Sequence, residues 1–251
     1  MQSFHRPAFY PVPGASLLVL FVHGFLGGPG QFEGMVRAVN AAGYAAETLL
    51  LPGHGGRSFD FALHTAREWQ EAVNAALALR LSQYDKVVLM GHSMGGLLGI
   101  NASLEAGPAH GLVLWETPVR LKLRLSGIKN DLTVALLPKR LQSPVAKAYR
   151  HAANVRFYTP MGYLLTIPRA VELLRMMAAT ERELLRVNCP VLLIQSKADE
   201  IVHPQSMERL KKGLEHAKIK TLALDASWHA YSPDEEQRRL ETELTLWLKG
   251  V

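Results

Sequence analysis

The chain contains a single cysteine, Cys189, among 251 residues. That excludes an internal disulfide and any metal cluster built on paired cysteines. It also lacks an apolar run near the ~18–20 residues of a membrane-spanning helix. The longest candidate, Leu17 to Val22, has the length of a strand and stops at His23. Met1 to Gly14 lacks a basic flank followed by an apolar stretch. No secretory leader is therefore expected, and a reduced, cytoplasmic setting is the default. Internal repeats and low-complexity tracts are missing, and a mean hydropathy of +0.04 excludes the disordered and fibrous classes. Two nucleotide-binding signatures are absent as well. Glycines at 24, 27, 28, 30 and 34 never fall into G-x-G-x-x-G, and no G-x-x-x-x-G-K-[ST] occurs. Neither a cofactor nor a metal is expected.

What is present is an alternation of short apolar runs with amphipathic stretches, the pattern of a mostly parallel sheet covered by helices on both faces. Strands are expected at Leu17–Val22, Ala45–Leu51, Lys86–Met90, Gly111–Trp115, Val191–Gln195 and Lys218–Leu224. Thr65 and Glu68 have capping-box spacing ahead of a helix that turns Trp69, Val73, Ala76 and Leu77 inward. A second helix is expected over Leu97 to Ala106. Ser232, Pro233 and Glu235 should open the last helix as N-cap, first residue and capping-box partner. Between Thr117 and Asn188 the rhythm stops, and amphipathic stretches are broken by Pro138, Pro144, Pro160 and Pro168. There Pro168 should begin a helix presenting Val171, Leu174, Ala178 and Leu185 on one side. The expected organisation is an α/β core over residues 1–116 and 189–251, interrupted by a helical cap over 117–188, far longer than an ordinary loop.

The sharpest chemical signal is Gly91-His92-Ser93-Met94-Gly95, between an expected strand and an expected helix. A G-x-S-x-G turn in that context is a nucleophile elbow. It lifts the Ser93 hydroxyl clear of the sheet and aims the Met94 N–H at the same space. A serine hydroxyl needs a general base, and the chain order for this arrangement is serine, acid, histidine. His229 follows the last expected strand and Asp199 the one before it, so both belong to loops at the sheet edge that carries Ser93. Glu200 and Asp225 remain rivals for the acid, and His203 is an alternative as a helix cap or surface residue. The oxyanion needs two N–H donors. Met94 supplies one, and Phe25 in His23-Gly24-Phe25-Leu26-Gly27-Gly28 the other, with Leu26 as the alternative. His23 and His54 are expected to shape loops.

Taken together, His23-Gly24-Phe25, Leu51-Pro-Gly-His54-Gly, the Ser93 elbow, the Asp199 loop and the His229 loop resemble the α/β-hydrolase superfamily. The likeness is to bacterial carboxylesterases and monoacylglycerol lipases with a small helical cap. It runs from about Pro7 to Leu248. One departure is that Ser196-Lys197-Ala198 lacks the glycine often found ahead of the acid. The resemblance implies hydrolysis of short- to medium-chain or monoacylglycerol-like esters through an acyl-enzyme. The same triad also serves C–C bond hydrolases, perhydrolases and acyltransferases, and a ligand receptor can retain a slow version of it.

The net charge of +6 is unevenly placed. Thr117–Asn188 holds 13 Lys and Arg against four acids, and the remaining chain is slightly acidic. No nucleic-acid partner is expected. A solvated helical face explains the basic cap, and transient contact with an anionic membrane surface is the alternative.

Overall fold

A computed structural model describes residues 6–122, 147, 149, 152–156 and 160–251. The strands are β1 (Ala8–Tyr10), β2 (Leu17–Val22), β3 (Ala45–Thr48), β4 (Lys86–His92), β5 (Gly111–Trp115), β6 (Val191–Ser196) and β7 (Ile219–Leu224). The helices are α1 (Glu33–Ala41), α2 (Ser58–Leu63), α3 (Ala66–Leu81), α4 (Met94–Glu105), α5 (Pro160–Leu165), α6 (Ile167–Glu183), α7 (Gln205–Gly213) and α8 (Asp234–Leu248). The strands form one sheet in the order β1-β3-β2-β4-β5-β6-β7, with β1 antiparallel to β3 and every other pairing parallel.

The period of two in an extended chain explains how one continuous apolar run feeds two cores. Along β2, Leu18, Leu20 and Val22 join the layer of Trp69, Val73, Leu77 and Leu98 from α3 and α4. Leu17, Val19 and Phe21 join the opposite layer with Met35 and Val39 of α1 and Leu240 and Leu244 of α8. All six β2 residues are buried. Burying one such side chain contributes about 1.5–3 kcal/mol, so this strand alone anchors both faces.

Element boundaries depart from expectation where tertiary contacts intervene. β3 ends at Thr48 rather than Leu51 because the chain leaves the sheet to follow the loop after β2, and the Leu51 N–H bonds His23 Nε2 at 3.1 Å. α4 begins at Met94, three residues earlier than expected, since Ser93 itself is the residue before the first turn. α8 begins at Asp234. Pro233, with ψ 152°, stays extended outside the helix, and no side chain caps it. The Thr65–Glu68 capping box forms as expected.

In the described part of the stretch between β5 and β6, α5 and α6 are helical, and Pro168 lies in the first turn of α6. The buried side of α6 is Met177 and Thr180, with Leu173 and Met176 packed against the core. Val171, Leu174, Ala178 and Leu185 share one side, as expected, and that side faces outward. The inward side includes a polar residue, Thr180, which faces the core and bonds Asn101 Oδ1 of α4 at 3.0 Å. Pro138, Pro144, Phe157 and Tyr158 lie outside the described residues.

Candidate active site

The strand order reverses between β2 and β4, the switch point at which an open α/β sheet forms a crevice. The loop after β2 and the turn after β4 meet there. Ser93 occupies that turn with φ 53° and ψ −122°, a conformation rarely tolerated by a residue with a side chain. Its N–H bonds the Trp115 carbonyl at 2.8 Å and its carbonyl accepts from the Gly96 N–H at 2.9 Å, which fixes the strained geometry. A Cβ on Gly91 would overlap the backbone of Gly95, and one on Gly95 would overlap the Val22 carbonyl, so both flanking positions require glycine.

Gly24 lies so close that a Cβ there would sit 3.0 Å from the Ser93 Cβ. This places Phe25 beside the elbow. The Phe25 ring packs edge-on against Phe61 and Trp69, at centroid distances of 5.1 and 6.1 Å. Among the described residues, neither the Phe25 N–H nor the Met94 N–H has a hydrogen-bond acceptor. Leu26, the alternative donor, has φ 59°, and its carbonyl is taken by the Asn154 N–H at 2.8 Å. His23 bridges its own loop to the next one, with Nδ1 3.0 Å from the Gly24 carbonyl and Nε2 accepting from Leu51. His54 fills an aromatic nest with His23, Phe61 and Trp69. Burial, then the neighbouring His23, holds the His54 ring well below the ordinary histidine range. Both histidines shape loops.

On the other side of Ser93, His229 Nδ1 lies 2.8 Å from Asp199 Oδ2. Asp199 is fully buried, and its other oxygen accepts the Ile201 and Val202 N–H groups at 2.7 and 2.8 Å. Burial pushes the Asp199 carboxyl upward, but the His229 charge and these hydrogen bonds outweigh it and hold the group below the usual carboxylate range. Burial likewise pulls His229 down, and Asp199 outweighs that and raises it. The rivals stand elsewhere. Glu200 Oε2 meets the His229 backbone N–H at 3.2 Å, not its ring. Asp225 is exposed and pairs with Lys197 at 2.7 Å. His203 Nδ1 accepts the Gln205 N–H at 3.1 Å, at the start of α7.

His229 is tied to the elbow through His92, whose Nε2 donates to the His229 carbonyl at 2.9 Å. A carbonyl only accepts, so His92 carries its proton on Nε2, and burial keeps the ring neutral, down to about 3. No hydrogen bond joins Ser93 Oγ to the His229 ring among the described residues. Such contacts commonly tighten only around bound substrate. Behind His229 is a cavity of about 120 Å3 bordered by Gln31, His92, Trp115 and Ser232. All four carry a buried polar atom without a hydrogen-bond partner among the described residues. A wider groove of about 530 Å3 runs between α3 and α6, but its lining contains none of these residues.

Glu116, directly after β5, was not singled out by sequence reasoning. It is fully buried, with φ 48°, and touches Asp199. The available signal was positional: an acid ending a wholly apolar strand, one strand over from the elbow.

Several known proteins are similar to this chain. The family model described as alpha/beta hydrolase matches residues 19–240. A thermostable monoacylglycerol lipase of Bacillus sp. (strain H-257) is 27% identical over 222 residues, covering 87% of this chain and 85% of that protein. A structure from work on the metagenome-derived lipolytic enzymes LipS and LipT superposes with a TM-score of 0.78 at 23% identity, covering 99% of both chains. The Paleococcus ferrophilus monoacylglycerol lipase does so at 0.70, with 20% identity and 97% of both chains.

Proposed function

The chain belongs to the alpha/beta hydrolase family, and from that premise we propose that it hydrolyses carboxylic esters with Ser93 as nucleophile, His229 as base and Asp199 as orienting acid. The observation that carries this reading is the buried 2.8 Å contact of Asp199 with His229 Nδ1, set beside a strained serine at the switch point. Asp199 fixes the tautomer that leaves Nε2 free to accept a proton. His229 takes the Ser93 hydroxyl proton as Oγ bonds the ester carbon. The Phe25 and Met94 N–H groups hold the resulting oxyanion, helped by the positive end of α4. His229 then protonates the departing alcohol, and the C–O bond to it breaks. Water attacks the acyl-enzyme and gives a proton to His229, which returns it to Ser93 Oγ as the acid leaves.

The relatives named as monoacylglycerol lipases support monoacylglycerol-like esters as the substrate class. Residues 117–188 are assigned as the cap over the site. Exposed Met161, Leu164, Ile167 and Leu174 on α5 and α6 favour a second role for that cap, transient contact with an anionic lipid surface.

A fluorophosphonate probe should label Ser93, and p-nitrophenyl esters of increasing chain length should turn over best at intermediate lengths. Ser93→Ala should abolish labelling and lower kcat by about 10⁴-fold or more at unchanged melting temperature. Exposed Ser82→Ala should match the parent. Retained turnover in folded Ser93→Ala protein would refute the assignment.

A further inference from the structure

Three carboxylates converge on His229: Asp199 at its ring, Glu200 at its backbone N–H, and Glu116 behind Asp199. All three residues are at most 2% exposed. Asp199 and Glu200 come from the loop after β6, Glu116 from the end of β5, His229 from the loop after β7, and His92 from the elbow. The Glu116 backbone is locked by its N–H on the Ile194 carbonyl at 2.9 Å, and Oε1 accepts the Ser196 N–H at 2.7 Å. Its carboxyl and that of Asp199 lie close enough to interact directly. Oε2 has no hydrogen-bond partner among the described residues.

Two carboxylates offer only acceptors to each other, so a hydrogen bond between them requires one proton. The surroundings decide which group keeps it. Asp199 receives two backbone N–H groups and faces an imidazole that becomes cationic during the reaction. Glu116 receives one N–H and faces another acid.

We propose that Glu116 is a positioning residue of this reaction, a neutral carboxylic acid that donates its hydrogen bond to Asp199 and fixes that carboxylate against His229. The proposal rests on the Ser93–His229–Asp199 reading. Burial, and after it the charge of Asp199, drives the Glu116 carboxyl well above the ordinary range, in keeping with a retained proton. A donor on Asp199 spreads its negative charge and tempers its pull on the His229 proton. Loss of the donor therefore strengthens that pull and makes the imidazole harder to deprotonate.

The test compares Glu116→Gln with Glu116→Leu. Glutamine keeps an acceptor for Ser196 and presents an N–H to Asp199. Leucine provides neither. Fluorophosphonate labelling of Ser93 in the parent establishes the nucleophile independently, so failure of the underlying reading appears as absence of that label. With labelling present, Glu116→Gln should retain kcat/KM and its acid limb. Glu116→Leu should move the limb to higher pH, with a loss of roughly tenfold below neutral that shrinks as pH rises, one pKa unit being a factor of ten. An equal loss at every pH, or a glutamine variant as impaired as the leucine one, would overturn the proposal. If Glu116→Leu does not fold, infrared spectroscopy decides. The parent should show the carbonyl band of a protonated carboxylic acid at neutral pH, missing in Glu116→Gln, and a parent spectrum without that band would refute the inference.

Discussion

The sheet and the helical stretch between β5 and β6 bury apolar surface by different rules. Every strand from β2 to β6 except β3 is covered on both faces, so side chains on either side of the backbone find a core. α6 lies on the edge of that core with one narrow side inward, and much of its apolar surface faces outward. The sheet can therefore hold groups to within a hydrogen bond. Ser93 and Glu116 follow directly on β4 and β5, and Asp199 and His229 lie three and five residues beyond β6 and β7, whereas no hydrogen bond among the described residues joins α6 to Ser93, Asp199 or His229.

The largest contrast is expected in catalysis. Asp199→Asn should lower kcat by roughly 10³–10⁴-fold, because the amide neither selects the His229 tautomer nor stabilises the imidazolium. Truncating Leu164 or Leu174 to alanine should change turnover of a short soluble ester by less than about threefold. The pH profile adds a signed check. As the proposed base, His229 would have to be neutral to accept the Ser93 proton, and its folded-state value is raised. Activity should therefore fall as pH drops through a value above that of an ordinary histidine, and the residual activity of Asp199→Asn should show this limb at lower pH. Stability follows the same pair. The depressed Asp199 contributes above the unfolded carboxylate range and loses its contribution on acidification. The raised His229 contributes below the ordinary histidine value and loses its contribution as pH rises through the folded one.

Folding stability should show the next contrast. Leu20 is fully buried at the centre of the sheet, and Leu20→Ala should cost about 2–5 kcal/mol in urea unfolding. Leu174, about half exposed, should give less than ~0.5 kcal/mol when replaced by alanine. A large loss at Leu174 would mean that the outward side of α6 is covered in solution.

The same physics explains what was legible. A strand buried on both faces reads as an unbroken apolar run, so Leu17–Val22 and Gly111–Trp115 were placed to the residue. The elbow was legible because its glycines answer to steric overlap that no other residue relieves. The start of α4 was not, because Ser93 is a helix-preceding residue with no capping side chain. Apolar periodicity groups Val171, Leu174 and Ala178 on one side of α6 but does not tell which side turns inward, because a threonine–asparagine bond invisible to it ties the helix to α4. Glu116 was missed because a lone acid after a strand carries no motif. Its meaning depends on Asp199, 83 positions later in the chain, whose carboxyl it meets only across adjacent strands.

The smallest effect separates the two regions by partner rather than by chemistry. If the outward apolar residues of α5 and α6 meet a lipid surface, Ile167→Ser with Leu174→Ser should weaken binding to anionic phosphatidylglycerol vesicles several-fold. Turnover of soluble p-nitrophenyl acetate should not change. Added salt should weaken the parent's binding, since the stretch from Thr117 to Asn188 carries the chain's excess positive charge. Sedimentation with vesicles at low and high salt measures both effects. Equal binding by parent and variant, or binding indifferent to salt, would leave the outward side of α6 an ordinary solvated face.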